Sequence, residues 1–153
     1  MVRALAAQLM TTLAAVREFD SQIEELCQAH EDFELFASLP GAGKVYTSRL
    51  LTAMGSNRQR WQTADELLRF SGVAPVVERS GKSSWTRWRY FCPKFFRQSF
   101  VEYAGESIKH SPWAKAFYVA QKAKGKKHQA AARALAYHVD TNHLEVLANT
   151  NKL

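Results

Sequence analysis

The sequence predicts a mainly α-helical protein: an N-terminal coiled-coil helix, then a helix-hairpin-helix and helical bundle interrupted by one small β-hairpin around Ser80. Three observations predict it. Apolar residues recur at three-four spacing from Val2 to Phe33. Capping and glycine stop signals punctuate most of the remainder into short helices. Only one stretch, residues 71–92, lacks helical period and is rich in Val, Trp, Thr and Tyr. The 153 residues suit one domain with an appendage, and 46% hydrophobic residues suffice for a core. The expected division is 1–37 as a dimerisation helix and 38–153 as the body.

The N-terminal helix follows from Val2, Leu5, Leu9, Thr12, Val16, Phe19, Ile23, Leu26, His30 and Phe33, of which eight are apolar. That is a coiled-coil seam sustained over four heptads. No Gly or Pro occurs before Pro40. One helix over 2–36 is expected, pairing with a second helix in a homodimer or tetramer, with His30 as a register-setting polar residue. An ordinary amphipathic helix lying on the protein's own body is the alternative. A second helix is expected over 44–54, stopped near Gly55. "TADELLRF" opens a third, with Thr63 as cap and Glu66 completing a capping box. Two extended segments should flank a turn at Ser80-Gly81. Helices return over Lys94–Lys109, Pro112–Lys122 and Lys127–Val139, the last interrupted by Asp140, Thr141 and Asn142.

Charge narrows the partners. Residues 1–38 hold two basic and seven acidic residues, net −5, whereas residues 39–153 carry the other 19 basic and 7 acidic ones, net +12. A basic body behind an acidic lead suits a polyanion, nucleic acid above all. The two cysteines, Cys27 and Cys92, lie far apart without a Cys-x-x-Cys pair, which fits reduced thiols in a cytoplasm better than a disulfide framework or zinc ribbon. No apolar run approaches the roughly 18 residues of a membrane span. The five histidines show no metal-ligand spacing, and no metal or cofactor is assigned to this chain.

Two motifs carry chemistry. In "LPGAGKVYTSRL" a Walker loop is excluded by spacing, because Ser38 and Val45 stand where glycine and a hydroxyl residue are needed. Apolar-Pro-Gly-small-Gly between helices fits a helix-hairpin-helix instead. There Gly41 and Gly43 permit tight backbone geometry, N–H groups face a DNA phosphate, and Lys44 and Arg49 add charge. A plain interhelical turn would use the same glycines. The second motif is "VERSGKSSWTRWRYF". Ser80 sits at the turn among Arg79, Lys82, Arg87 and Arg89, four cations that could converge on one phosphate. A serine hydroxyl so placed could attack a phosphodiester. Trp85, Trp88 and Tyr90 are read as one aromatic face, either core or a base-stacking platform. Ser-Gly-Lys is also an ordinary hairpin tip. "KAKGKKHQ", with Lys122, Lys124, Lys126 and Lys127, is a further phosphate-gripping candidate.

In order, "LPGAGKVYTSRLL", "ELLRFSGVAPVVERSGKS", "WRYFCPKFFRQSFVEYA" and "SPWAKAFYVAQKAKGKKHQAAARALA" resemble the C-terminal half of insertion-sequence one-ten transposases, relatives of the Piv DNA invertases. The resemblance covers about residues 38 to 137. It implies a DNA recombinase whose serine nucleophile maps onto Ser80, with Gly81 its partner glycine and Gly41 and Gly43 in the Pro-Gly-x-Gly turn. It further implies a separate RuvC-like domain holding magnesium, a coiled coil that assembles dimers, and a bridge RNA that selects DNA sites. The acidic domain has no counterpart here, since Asp65 with Glu66 is the one adjacent acidic pair within the region of resemblance. The chain is therefore expected to be a fragment or decayed copy, inactive alone, from a bacterial cytoplasm. "FCPKFFRQ" reads as a subgroup variant. A non-enzymatic helix-hairpin-helix DNA-binding module is the alternative function.

Overall fold

The computed structural model describes residues 1–57, 60–61, 63–87 and 89–150, with residues 140–150 described by backbone alone. Among the described residues there are seven helices and one two-stranded antiparallel sheet: α1 Val2–Gln28, α2 Phe33–Ala37, α3 Gly43–Met54, α4 Ala64–Ser71, β1 Val76–Ser80, β2 Ser83–Arg87, α5 Lys94–His110, α6 Pro112–Ala123 and α7 His128–Thr150. The fold is mainly helical with one small hairpin, as the sequence predicts.

The expected single helix over 2–36 is two helices. α1 ends at Gln28, and the chain turns through Ala29–Asp32 before α2. The His30 side chain explains the break. Its Nδ1 accepts a hydrogen bond from the Asp32 amide at 3.1 Å, and its Nε2 lies 3.2 Å from Ser56 Oγ. A side chain that satisfies a nearby backbone donor offers the chain an alternative to the helix. His30 thus fastens a corner and does not set a coiled-coil register. Beyond the corner, Phe33 leaves the seam and, with Phe36, packs on the body's core.

α5 is the central helix and packs against α3, α6 and α7. Its inward side presents Phe96, Ser99, Phe100, Tyr103, Ala104 and Ser107, all buried. Small residues on both partners, Ser99 and Ala104 on α5 and Ala131, Ala132 and Ala136 on α7, are buried where these helices approach closely. Leu50 and Met54 of α3, Leu67 and Leu68 of α4, and Leu135 of α7 complete the core. Phe96 stacks on Phe100 at a centroid distance of 4.8 Å and meets Phe70 edge-on at 5.8 Å.

Local signals set the helix limits. Thr63 Oγ1 accepts from the Glu66 amide at 3.2 Å, so Asp65 and Glu66 form a helix-starting turn. Ser111 caps α6 in the same way, with Pro112 at its first position. α7 continues through Asp140, Thr141 and Asn142 to Thr150, contrary to the expected interruption. Those residue types cost a helix only about 0.7 kcal/mol each or less, and no Gly or Pro stands there.

Gly72 ends α4 with φ +76°, and a Cβ at that position would lie 2.5 Å from Cys92 Sγ. Gly72→Ala is therefore expected to lower stability by about 1–3 kcal/mol, through left-handed strain and a displaced Cys92. Urea denaturation checks this; an unchanged midpoint would show that the α4–Cys92 contact does not form.

Candidate nucleic-acid interface

The hairpin register pairs Val76 with Arg87, Glu78 with Trp85, Arg79 with Ser84 and Ser80 with Ser83. Gly81, at φ +56°, is the first of the two turn residues, where a positive φ suits a two-residue hairpin turn. Both strands are mostly exposed, so the hairpin projects from the helical body. Ser80 is exposed at its tip.

Alternation along the strands sorts the cations around Ser80. Ser80, Glu78, Trp85 and Arg87 share one face, whereas Arg79 and Ser84 share the other. Arg87 Nη2 donates to Glu78 Oε2 at 2.5 Å, and Trp85 Nε1 donates to the same oxygen at 2.9 Å. Glu78 thereby ties Arg87 and the Trp85 edge into the hairpin. Arg79 and Lys82 are exposed and form no ion pair among the described residues. Arg89 lies beyond β2 and is half-buried, its Nε without a hydrogen-bond partner and its carbonyl accepting from Arg97 Nη1 at 2.9 Å. The four hairpin cations therefore do not form one cluster. Arg79 and Lys82 are the available pair at the tip.

The expected aromatic face of Trp85, Trp88 and Tyr90 includes Trp88, which lies outside the described residues. Trp85 and Tyr90 are exposed and contribute no core.

At the glycine turn, α2 leads through Ser38–Ala42 into α3, with Gly41 at φ +79° and Gly43 at φ +51°. A Cβ on Gly41 would come within 2.5 Å of His110 Cδ2, so the turn lies directly against the end of α5. The two cations beside it are engaged within the chain. Lys44 Nζ lies 2.7 Å from Glu24 of α1, and Arg49 pairs with Glu102 of α5 while its guanidinium sits over the Tyr46 and Phe95 rings. The Gln98 amide, together with Arg49, holds the Glu102 carboxyl below its ordinary range although partial burial pushes the other way.

A basic cleft escaped the sequence reading. Lys94, Arg97, Gln98, Gln129 and Arg133 line about 310 Å³ between α5 and α7. Burial, and then the neighbouring Arg97, push the Arg133 guanidinium below its ordinary pKa. Lys94 and Arg97 one helical turn apart were the available signal, but Arg133 is distant in sequence and only the packing of α7 on α5 supplies it. Among the described residues no group of three or more His, Cys, Asp or Glu could hold a metal ion, and no helix is long and apolar enough to cross a membrane.

The helical body thus projects a hairpin that exposes Ser80 beside Arg79 and Lys82, two cations without an ion pair among the described residues. The family described as "Transposase IS116/IS110/IS902 family" matches residues 33–119, more than half of the sequence, and the chain belongs to it. It is similar to the "Insertion element IS900 uncharacterized 42 kDa protein" of Mycobacterium paratuberculosis, 31% identical over 137 residues, which are 88% of this chain and 34% of that protein. It is also similar to the "Mini-circle putative transposase for IS117" of Streptomyces coelicolor, 30% identical over 132 residues, 86% of this chain and 32% of the relative. The chain thus spans about a third of the length of these relatives.

Proposed function

We propose that this chain carries the DNA-cleaving segment of a transposase, with Ser80 as nucleophile and Arg79 and Lys82 as phosphate stabilisers. The observation that carries the reading is the Ser80 hydroxyl, exposed at a hairpin tip between two cations that are unpaired among the described residues. In the cleavage step Ser80 Oγ forms a bond to phosphorus and the bond from phosphorus to one strand's oxygen breaks. The serine proton passes to a base, and the departing oxygen takes a proton from that base's conjugate acid or from water and leaves as a hydroxyl. Attack by an incoming DNA hydroxyl on the phosphoserine reverses the step and exchanges the strands. Cations that bind the five-coordinate phosphate more tightly than the diester lower the barrier. No base is identified in the hairpin, where Glu78 on the same face is engaged by Arg87 and Trp85, and a carboxylate of the RuvC-like domain could serve. Among the described residues no group of three or more His, Cys, Asp or Glu could hold magnesium. A RuvC-like domain carrying the metal and a bridge RNA selecting the sites complete the assembly in this reading. The setting is a bacterial cytoplasm, where Cys27 and Cys92 stay free. The test is a covalent DNA–protein adduct that depends on Ser80.

A DNA-binding module without chemistry, gripping phosphate at Gly41 and Gly43, has less support, since Lys44 and Arg49 are already paired with carboxylates. Salt-sensitive DNA binding indifferent to Ser80, with no adduct, would favour it.

The partner surface for a second copy is α1. None of its residues is buried, and Val2, Leu5, Leu9, Val16, Phe19, Ile23 and Leu26 are exposed along one seam. An apolar stripe this long on a free surface marks an interface, so α1 pairs with α1 of another copy in a dimer or tetramer. Leu9→Asp with Phe19→Asp is expected to weaken self-association at least about a hundredfold, because burying each such side chain contributes roughly 1.5–3 kcal/mol. Sedimentation analysis checks this; an undiminished oligomer would place the interface elsewhere.

A further inference from the structure

We infer that the cleft between the base of the hairpin and helices α6 and α7 receives a nucleobase turned out of a DNA strand. This rests on the DNA-processing reading above and specifies what it holds. The cleft has a volume of about 630 Å³, within the range of small-molecule sites. Val73, Pro75, Phe117, Ala130 and Ala134 supply apolar walls, and Arg87, Lys126 and Arg133 stand among its polar lining. Gln121, also lining it, is 8% exposed, and its Oε1 has no hydrogen-bond partner. A buried acceptor without a donor is destabilising and calls for an explanation. A base edge supplies the missing donor, an exocyclic amino group or a ring N–H. Phe117, half-buried and 4.8 Å from the His138 ring, supplies an aromatic wall for its face. Lys126, exposed at the rim, suits an attached phosphate. An inorganic anion would not need the apolar walls, and a hydrocarbon would not need the amide.

Position along the hairpin supports the same occupant. Four strand steps of roughly 3.3 Å separate Arg87 at the cleft from Ser83 opposite Ser80, about 13 Å. That is about four nucleotide steps of a B-form strand at 3.4 Å each. One strand can therefore present a phosphate to Ser80 and a displaced base to the cleft.

The test uses the full chain and two fluorescent probes: a mixed-sequence single-stranded DNA dodecamer, and a dodecamer of the same charge whose sugars carry no bases. The wild type is expected to bind the base-bearing strand at least about tenfold more tightly, the scale of one base–aromatic stack. Gln121→Leu should reduce that preference at least threefold, and Ala134→Phe, which fills the cleft, should remove it. Both should leave binding of the abasic strand within about twofold. Gln121→Leu should also melt no lower than the wild type, because it removes an orphan acceptor. If Ala134→Phe does not fold, Gln121→Leu decides alone. Equal binding of the two strands by the wild type overturns the inference while leaving the DNA reading intact. So does a preference that survives both variants, which would place base contacts elsewhere, for instance at Trp85. Binding to neither probe overturns both readings. Tighter binding of the matching RNA dodecamer, with the same Gln121 sensitivity, overturns the assignment to DNA.

Discussion

If the proposed serine mechanism operates, Ser80→Ala is expected to abolish the covalent DNA adduct formed when the chain is combined with a RuvC-like domain, magnesium, a bridge RNA and donor DNA. Removing the attacking oxygen leaves only binding and charge stabilisation, and deleting a serine nucleophile elsewhere costs on the order of 10⁶ in rate. Ser80 is exposed and packs into no core, so stability should stay within about 0.5 kcal/mol and DNA affinity within about twofold. Gel mobility after protein denaturation reads the adduct, and thermal melting reads the fold. Lys82→Ala should slow adduct formation more than Arg79→Ala, because the register places Arg79 on the face opposite Ser80. An adduct that persists in Ser80→Ala would remove the serine mechanism altogether.

Leu135→Ala is expected to cost roughly 2–5 kcal/mol, a large share of the roughly 5–15 kcal/mol that stabilises a domain. Leu135 is wholly buried on α7, where that helix packs on α4, α5 and α6. Its small neighbours Ala131, Ala132 and Ala136 have no side-chain reach with which to refill the space. The exposed Val119→Ala should change stability by less than about 0.5 kcal/mol. Chemical denaturation of both variants checks the pair. A loss below about 1 kcal/mol at Leu135 would mean that α7 does not close the core in this way. The candidate cleft of Lys94, Arg97 and Arg133 would then lose its second wall.

Much of the fold was legible because it is locally encoded. Thr63 with Glu66, Ser111 with Pro112, and the glycines at 55 and 81 act within a few residues of themselves, and each element they delimit formed where expected. The error at α1 was of another kind. The seam period runs unbroken through Phe33, but His30 meets Ser56 across 26 residues of sequence, and that contact turns the chain so that Phe36 enters the body's core. Likewise nothing in "DTN" forbids a helix, and α7 runs on.

The candidate site divides along the same line. Composition and spacing located the serine hairpin, the glycine turn and the excess of positive charge, all of which are properties of short segments. They could not say which cations were already matched by carboxylates. Lys44 finds Glu24 on α1, Arg49 finds Glu102 on α5, and Arg87 finds Glu78 across the hairpin, whereas Arg79 and Lys82 remain open to solvent. Helices, caps and turns arise from interactions a few residues apart, and one sequence therefore determined them unaided. The availability of a charge or of a buried amide such as Gln121 depends on partners from distant segments, and only the packing of those segments decided it.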